Sequence, residues 1–280
     1  MKEGIKDFEK TKPYLVCVDS DGCAMDTMDV KHQKCFGPKA IEVWGLQDIE
    51  ERFMEIWNEV NLYSISRGIN RFKGLVRTFD LVAEEGYEIS DLSTVKEWTE
   101  TTDELSNPSL EREIAKTDDQ QLKKTLDWSL KVNQAITELS DDDEPFSGVK
   151  EGLAKINDGA DIAIVSSANG GAVRDEWTRH ELISHVQAML GQESGTKAHC
   201  IAELQKFGYE PTKILMVGDA PGDLEAAKVN CVLYYPILVG NERFSWERLA
   251  SEALTKFYEG SFAGEYQQQL INEFHSNLQK

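Results

Sequence analysis

The chain has 280 residues, 40% of them hydrophobic and 29% charged, and 50 acidic against 30 basic residues give a formal net charge of −20. So acidic a composition argues against nucleic-acid binding, which needs basic patches to hold the phosphate backbone. No apolar run approaches the roughly 20 residues of a membrane span, and the opening MKEGIKDFEKTKP has no apolar stretch of the kind a signal peptide carries.

Tyr14–Val18 is apolar throughout and stops at Asp19, with a second carboxylate at Asp21 and a breaker at Gly22. This predicts a buried strand followed by a turn. From Val30 to about Asp141 the pattern is helical. Residues 48–65 repeat Phe53, Ile56, Trp57, Val60 and Tyr63 near 3.6. Further helices are expected over 72–83, 91–101 and 119–139, the last with Leu122, Leu126, Leu130, Ile136 and Leu139 on one side and Asp118 as its cap. Pro108 can open a short helix between the last two. The acidic run 141–144, followed by Pro145, reads as a linker.

Beyond Pro145, strands at 162–165, 186–190, 214–217 and 231–235 alternate with helices at 148–156, 171–180, 196–207 and 221–228. Two more helices are expected in 245–280, parted near 260–264. Such alternation predicts an α/β fold: a Rossmann-like parallel sheet with helices on both faces. The core would comprise 1–29 and 145–280, and 30–144 would form an inserted all-α cap, placed to act as a lid. The five cysteines (17, 23, 35, 200 and 231) are odd in number, scattered and without a CxxC pair. They fit a reduced, cytoplasmic protein.

Three of the predicted strands run into polar residues: Asp19, Ser166, and Gly218-Asp219. In a parallel sheet these ends share one edge, where α/β proteins bind ligands. Lys197, at a helix start, can reach the same edge. Carboxylates so placed suit Mg2+, which is commonly held by one or two of them plus a substrate phosphate. Asp219 and Asp223 of GDAPGD could both face the metal. Asp19 could bind it through one oxygen and attack phosphorus with the other. Asp21 would act as general acid and base, while Ser166 and Lys197 hold the phosphoryl oxygens. Gly22, Ser167 and Asn169 are the neighbouring candidates for substrate binding. The Asn169-Gly170-Gly171 stretch is either a helix N-terminus wrapping phosphate through its amides or a plain turn. Arg67–Thr78 holds four cations and no acid. If the helix extends that far, Arg67 and Arg71 share a face and either reach an anionic part of the substrate or make surface ion pairs. His32, near the first crossing, reads as structural.

DSDGCAMDT resembles the first motif of the haloacid dehalogenase superfamily, DxDGTLxD[ST]. Ser166 resembles the second motif, Lys197 the third and GDAPGD the acidic fourth, all in the expected order. The position of the helical insertion is similar to that of the family's cap. Cys23 and Ala24 depart from the motif at positions that carry no chemistry, and Lys197 lies in SGTKAHC rather than in the frequent GKP context. The resemblance implies that Asp19 forms an aspartyl-phosphate. It implies too that Asp21 is the acid/base and offers the metal its backbone carbonyl. Members that cleave carbon–halogen or phosphonate bonds lack the second Asp, so Asp21 favours a phosphate ester. The expected activity is Mg2+-dependent hydrolysis of a small phosphorylated metabolite. A phosphomutase and a non-catalytic metabolite-binding protein of the same fold are the alternatives.

Overall fold

The computed structural model describes residues 2–3, 5, 8–139 and 143–279, with the side chains of residues 2 and 3 left aside. Parts of the N-terminal segment, and residues 141–142 of the predicted linker, lie outside them. Contacts divide the chain into two units, Met1–Met28 with Asp143–Lys280, and Asp29–Asp142.

In the first unit six strands form one parallel sheet: β1 (Lys2–Glu3), β2 (Tyr14–Val18), β3 (Ala160–Val165), β4 (Ala188–Leu190), β5 (Ile214–Gly218) and β6 (Leu233–Pro236). Their order is β1-β4-β3-β2-β5-β6, which puts β2 in the middle. Alternation along the strands builds two cores. Val16 and Val18 of β2, Ile162 and Ile164 of β3, and Leu215 and Val217 of β5 pack on one face. Leu15 and Cys17, Ala163 and Val165, and Ile214 and Met216 pack on the other. Such continuous apolar strands are what a sheet covered on both sides requires. The first face is covered by helices Val149–Asn157 and Gly170–Arg179 and by the helical run 242–259, through Leu153, Trp177, Trp246 and Phe257. The second is covered by Lys197–Gln205, Pro221–Val229 and Glu265–Leu278, through Ile201, Leu224 and Phe274. Asp161, fully buried in β3, accepts bonds from the Thr11 and Lys12 amides at 2.9 Å. That anchors the segment leading into β2.

The elements of the second unit among its described residues are helices, chiefly Gly37–Trp44, Glu50–Asn58, Arg71–Glu84, Ser93–Thr101, Asn107–Thr117 and Gln120–Glu138, with π turns at His32–Phe36 and Glu59–Tyr63. Its core is aromatic, built on Phe53, Trp57, Phe72, Phe79, Trp98 and Trp128.

The structure departs from the sequence pattern in places. β1 is two polar residues and carries no strand signal. β6 starts at Leu233 rather than at 231, because Cys231 has φ 55° and cannot extend a strand. The helical run from Met28 to Trp44 falls in the stretch read as helical from Val30, but no separate helix was expected before residue 48. A π turn interrupts the 3.6 repeat there, and Gly37-Pro38 mimics a breaker although Pro is tolerated in a first turn. Asp119, not Asp118, caps the long helix, accepting from the Gln121 and Leu122 amides at 2.8 and 2.9 Å. Asp118 instead ends the helix before it with φ 54°. Leu130, expected on the apolar side, is half exposed.

Candidate functional site

The site follows from strand register. β2 pairs with β5 at Val18↔Val217 and with β3 at Val18↔Ile164. Asp19 therefore leaves the sheet abreast of Gly218, with Asp219 one residue further on and Ser166 just beyond the end of β3. The Asp19 amide donates to the Val217 carbonyl at 3.0 Å, which fixes the turn to the strand beside it. Gly22, at φ 77°, reverses the chain after Asp21 in a conformation that L side chains disfavour.

Asp19, Asp219 and Asp223 are all buried, and one carboxylate oxygen of each lies within 4.8 Å of the others. Lys197 Nζ joins two of them, 2.7 Å from Asp19 Oδ2 and 2.6 Å from Asp223 Oδ1. Thr196 makes this possible by capping the helix Lys197–Gln205, its hydroxyl accepting from the His199 amide at 3.1 Å. Asp223 is held from its other side by the Ala220 amide at 3.0 Å. It packs so closely on β5 that a Cβ at Gly218 would lie 2.3 Å from the Asp223 carboxyl.

Burial raises the Asp19 carboxyl to about 7; Asp223 adds to the rise and the Lys197 ammonium opposes it. Burial likewise raises Asp223. Burial by itself would lower Lys197, but the Asp19 and Asp223 carboxylates outweigh it and hold the amine protonated. Fully ionised, three carboxylates and one ammonium carry two net negative charges in a low-dielectric setting. A hard divalent cation with oxygen ligands fits that donor set in both charge and chemistry.

The other expected residues are placed as follows. Ser166 is buried, and its Oγ accepts from the Ala168 amide at 3.2 Å. Ser167 and Asn169 are exposed. Asn169 is the N-cap of helix Gly170–Arg179, accepting from the Ala172 amide at 3.2 Å, while its Nδ2 donates to Glu193 at 2.8 Å. The Gly170 amide donates to the same Glu193 carboxylate. Asp21 is half-buried and stands outside the three-carboxylate group, its Oδ1 accepting from Thr27 Oγ1 at 2.7 Å. Arg67 and Arg71 belong to the helical unit. The shared helical face expected for them does not form, because Asn70 caps a helix that begins only at Arg71. Arg67 is buried, with Nη1 donating to the Leu62 carbonyl at 2.8 Å.

Two supports escaped the sequence pattern. Trp177 Nε1 donates to Ser20 Oγ at 2.9 Å, pinning the residue between the two first-motif carboxylates. Tyr234 OH donates to the Gly218 carbonyl at 3.0 Å, behind Asp219. Both rings are fully buried apolar bodies with one polar tip, and in sequence they read only as core.

The chain matches a family described as haloacid dehalogenase-like hydrolase over residues 69–232, a span that begins inside the helical unit and leaves out the Asp19 motif. No curated protein matches it in sequence. Among solved structures it is similar to a predicted phosphoglycolate phosphatase from Haemophilus somnus 129pt, with 17% identity over 83% of this chain and 86% of that one and a TM-score of 0.50. A protein from Lactobacillus delbrueckii subsp. bulgaricus named for the same activity is 16% identical over 80% of this chain and 85% of that one, with a TM-score of 0.51. At these identities the likeness is one of fold.

Proposed function

The chain belongs to the haloacid dehalogenase-like hydrolases, and from that premise we propose that it is a Mg2+-dependent phosphatase of small phosphorylated metabolites. The observation that carries the reading is the buried group of Asp19, Asp219 and Asp223 around Lys197 at the carboxyl edge of the central strands. Asp19, Asp219 and Asp223 would hold the Mg2+ through carboxylate oxygens, with Asp21 contributing its backbone carbonyl. When bound, the ion neutralises charge on the phosphoryl oxygens and favours the ionised form of Asp19.

Asp19 Oδ attacks phosphorus, forming the aspartyl-phosphate as the P–O bond to the leaving group breaks. Asp21 gives that leaving oxygen a proton, then takes one from the water that hydrolyses the intermediate. Lys197 and the Ser166 hydroxyl hold the transferring oxygens, with Gly22, Ser167 and Asn169 as neighbouring substrate contacts. Asp21 is what supports a phosphate ester over a carbon–halogen bond, since an ester's leaving oxygen needs a proton in the first step and a halide does not. The helical unit, inserted between the strands that carry Asp19 and Ser166, takes the role of a cap.

A panel of phosphomonoesters incubated with the full chain tests this by phosphate release. Turnover is expected with Mg2+ and none with excess EDTA. Release at the same rate in EDTA, or from no ester at all, would overturn the proposal.

A further inference from the structure

The sheet unit contains two tryptophans, Trp177 and Trp246, and both are fully buried. An indole carries one polar atom, an N–H that needs an acceptor once the ring is buried. Both rings direct it at the same turn. Trp177 Nε1 donates to Ser20 Oγ at 2.9 Å. Trp246 Nε1 donates to the Cys23 carbonyl, also at 2.9 Å, from 223 residues further along the chain. Asp21 lies between these two anchored residues.

The rings come from different helices, Trp177 from Gly170–Arg179 and Trp246 from Glu242–Arg248. Trp246 is seated on two glycines four residues apart, Gly148 at the start of helix Val149–Asn157 and Gly152 within it. That spacing leaves one face of the helix bare. A Cβ at Gly152 would lie 2.5 Å from Trp246 Cε3, and one at Gly148 would lie 3.2 Å from Trp246 Cβ. The backbone of one helix thus aims the indole carried by another.

The turn that receives these bonds has a flexible centre, because Gly22 follows Asp21 and has the widest backbone freedom of any residue. It folds back on itself, the Ser20 carbonyl accepting from the Ala24 and Met25 amides at 2.9 Å and the Gly22 amide donating to the Met25 carbonyl at 2.9 Å. Its ends are tied down as well. The Asp19 amide donates to Val217 and the Phe146 amide to the Ala24 carbonyl, each at 3.0 Å. Between those ends, the two indoles join the turn to the helices that cover the sheet. Asp19 leaves its strand directly and has Lys197 Nζ at 2.7 Å, so its place is set without them. Asp21 sits in mid-turn, with its carboxylate accepting from Thr27 Oγ1 at 2.7 Å.

We infer that Trp246 is a positioning residue for Asp21. With Trp177 it clamps the turn on both sides of that residue, so the Asp21 carboxyl keeps the place from which a proton reaches the leaving oxygen. The clamp stands on the hydrogen bonds; its part in proton delivery rests on the phosphatase reading.

Two esters separate this from a general loss of packing: an alkyl phosphate, whose leaving oxygen needs a proton, and a nitrophenyl phosphate, whose leaving group departs as the anion. Their kcat/KM values cover only the steps up to loss of the leaving group, so hydrolysis of the intermediate does not enter the ratio. Trp246→Phe keeps a ring and removes the donor. The alkyl-to-aryl ratio should fall by about tenfold or more, since a misplacement of about 1 Å costs up to about 10²-fold. In Asp21→Asn the ratio should fall too, and adding Trp246→Phe should lower it no further, because a residue that acts through Asp21 then has nothing to place. A ratio unchanged in Trp246→Phe, with both esters slowed alike, overturns the inference, as does a further fall in the double variant. Should Trp246→Phe fail to fold, Gly152→Ala, which pushes the ring from the neighbouring helix, decides by the same ratio. If wild-type chain hydrolyses neither ester, the phosphatase reading has failed separately. The clamp is then read by amide hydrogen exchange in whichever variant folds. Exchange at residues 23–25 at least about tenfold faster than in wild type, with β3 unchanged, supports it, and equal protection overturns it.

Discussion

Around Lys197, the balance of charge depends on a single side chain. Its ammonium lies 2.7 Å from Asp19 and 2.6 Å from Asp223, and both carboxylates are buried. Removing one member of such a group leaves the others desolvated and uncompensated, at a cost of about 3–5 kcal/mol. Lys197→Met should therefore unfold at a clearly lower temperature than wild type in EDTA at pH 8. Adding Mg2+ should recover more of the loss than it adds to wild type, since the cation replaces the missing charge. An unchanged melting temperature in EDTA would mean that the lysine does not compensate the two carboxylates.

At the scale of elements, the site depends on how closely β5 and the helix Pro221–Val229 approach. Gly218 ends β5 with no side chain, and the Asp223 carboxyl occupies the space that a Cβ would take. The Ala220 amide stops Asp223 from swinging away. Gly218→Ala should thus displace Asp223 and weaken Mg2+ binding by at least about tenfold, read by calorimetric titration, with an overpacking cost of about 1–3 kcal/mol. Binding as tight as wild type would show that Asp223 is not needed in its observed place.

Elements of this kind were legible in the sequence where burial is two-sided. β2, the stretch 162–165 of β3 and the stretch 214–217 of β5 are unbroken apolar runs, so their polar ends stood out at Asp19, Ser166 and Asp219. The two-residue edge strand β1 and the π turn at His32–Phe36 were not legible, because one is too short and polar to show a period and the other breaks the period. Trp177 and Tyr234 support the site through single polar atoms on apolar rings, and composition does not separate such rings from ordinary core. Arg71 was visible as a cation in an acidic chain. Its Nη1 donates to Asn133 and Ser129, some 60 residues away, and only the fold brings those together.

Across the whole molecule, each unit has its own hydrophobic core, the two-faced sheet in one and the aromatic cluster in the other. Units with separate cores commonly unfold as separate cooperative transitions. Only the first contains the three carboxylates, so scanning calorimetry should show two transitions, with Mg2+ raising one and leaving the other in place. A single transition moved as a whole would mean that the two cores are coupled. No helix is long and apolar enough to cross a membrane among the described residues. The proposed catalysis turns on a covalent bond between Asp19 and phosphorus, which can be caught directly. Acid-quenched chain from turnover with Mg2+, reduced with borohydride, converts an aspartyl-phosphate to homoserine, and peptide mass spectrometry locates it. Homoserine at position 19, absent in EDTA and in Asp19→Asn, is the expected result; phosphate release with no modification at Asp19, or with modification at another carboxylate, would contradict it.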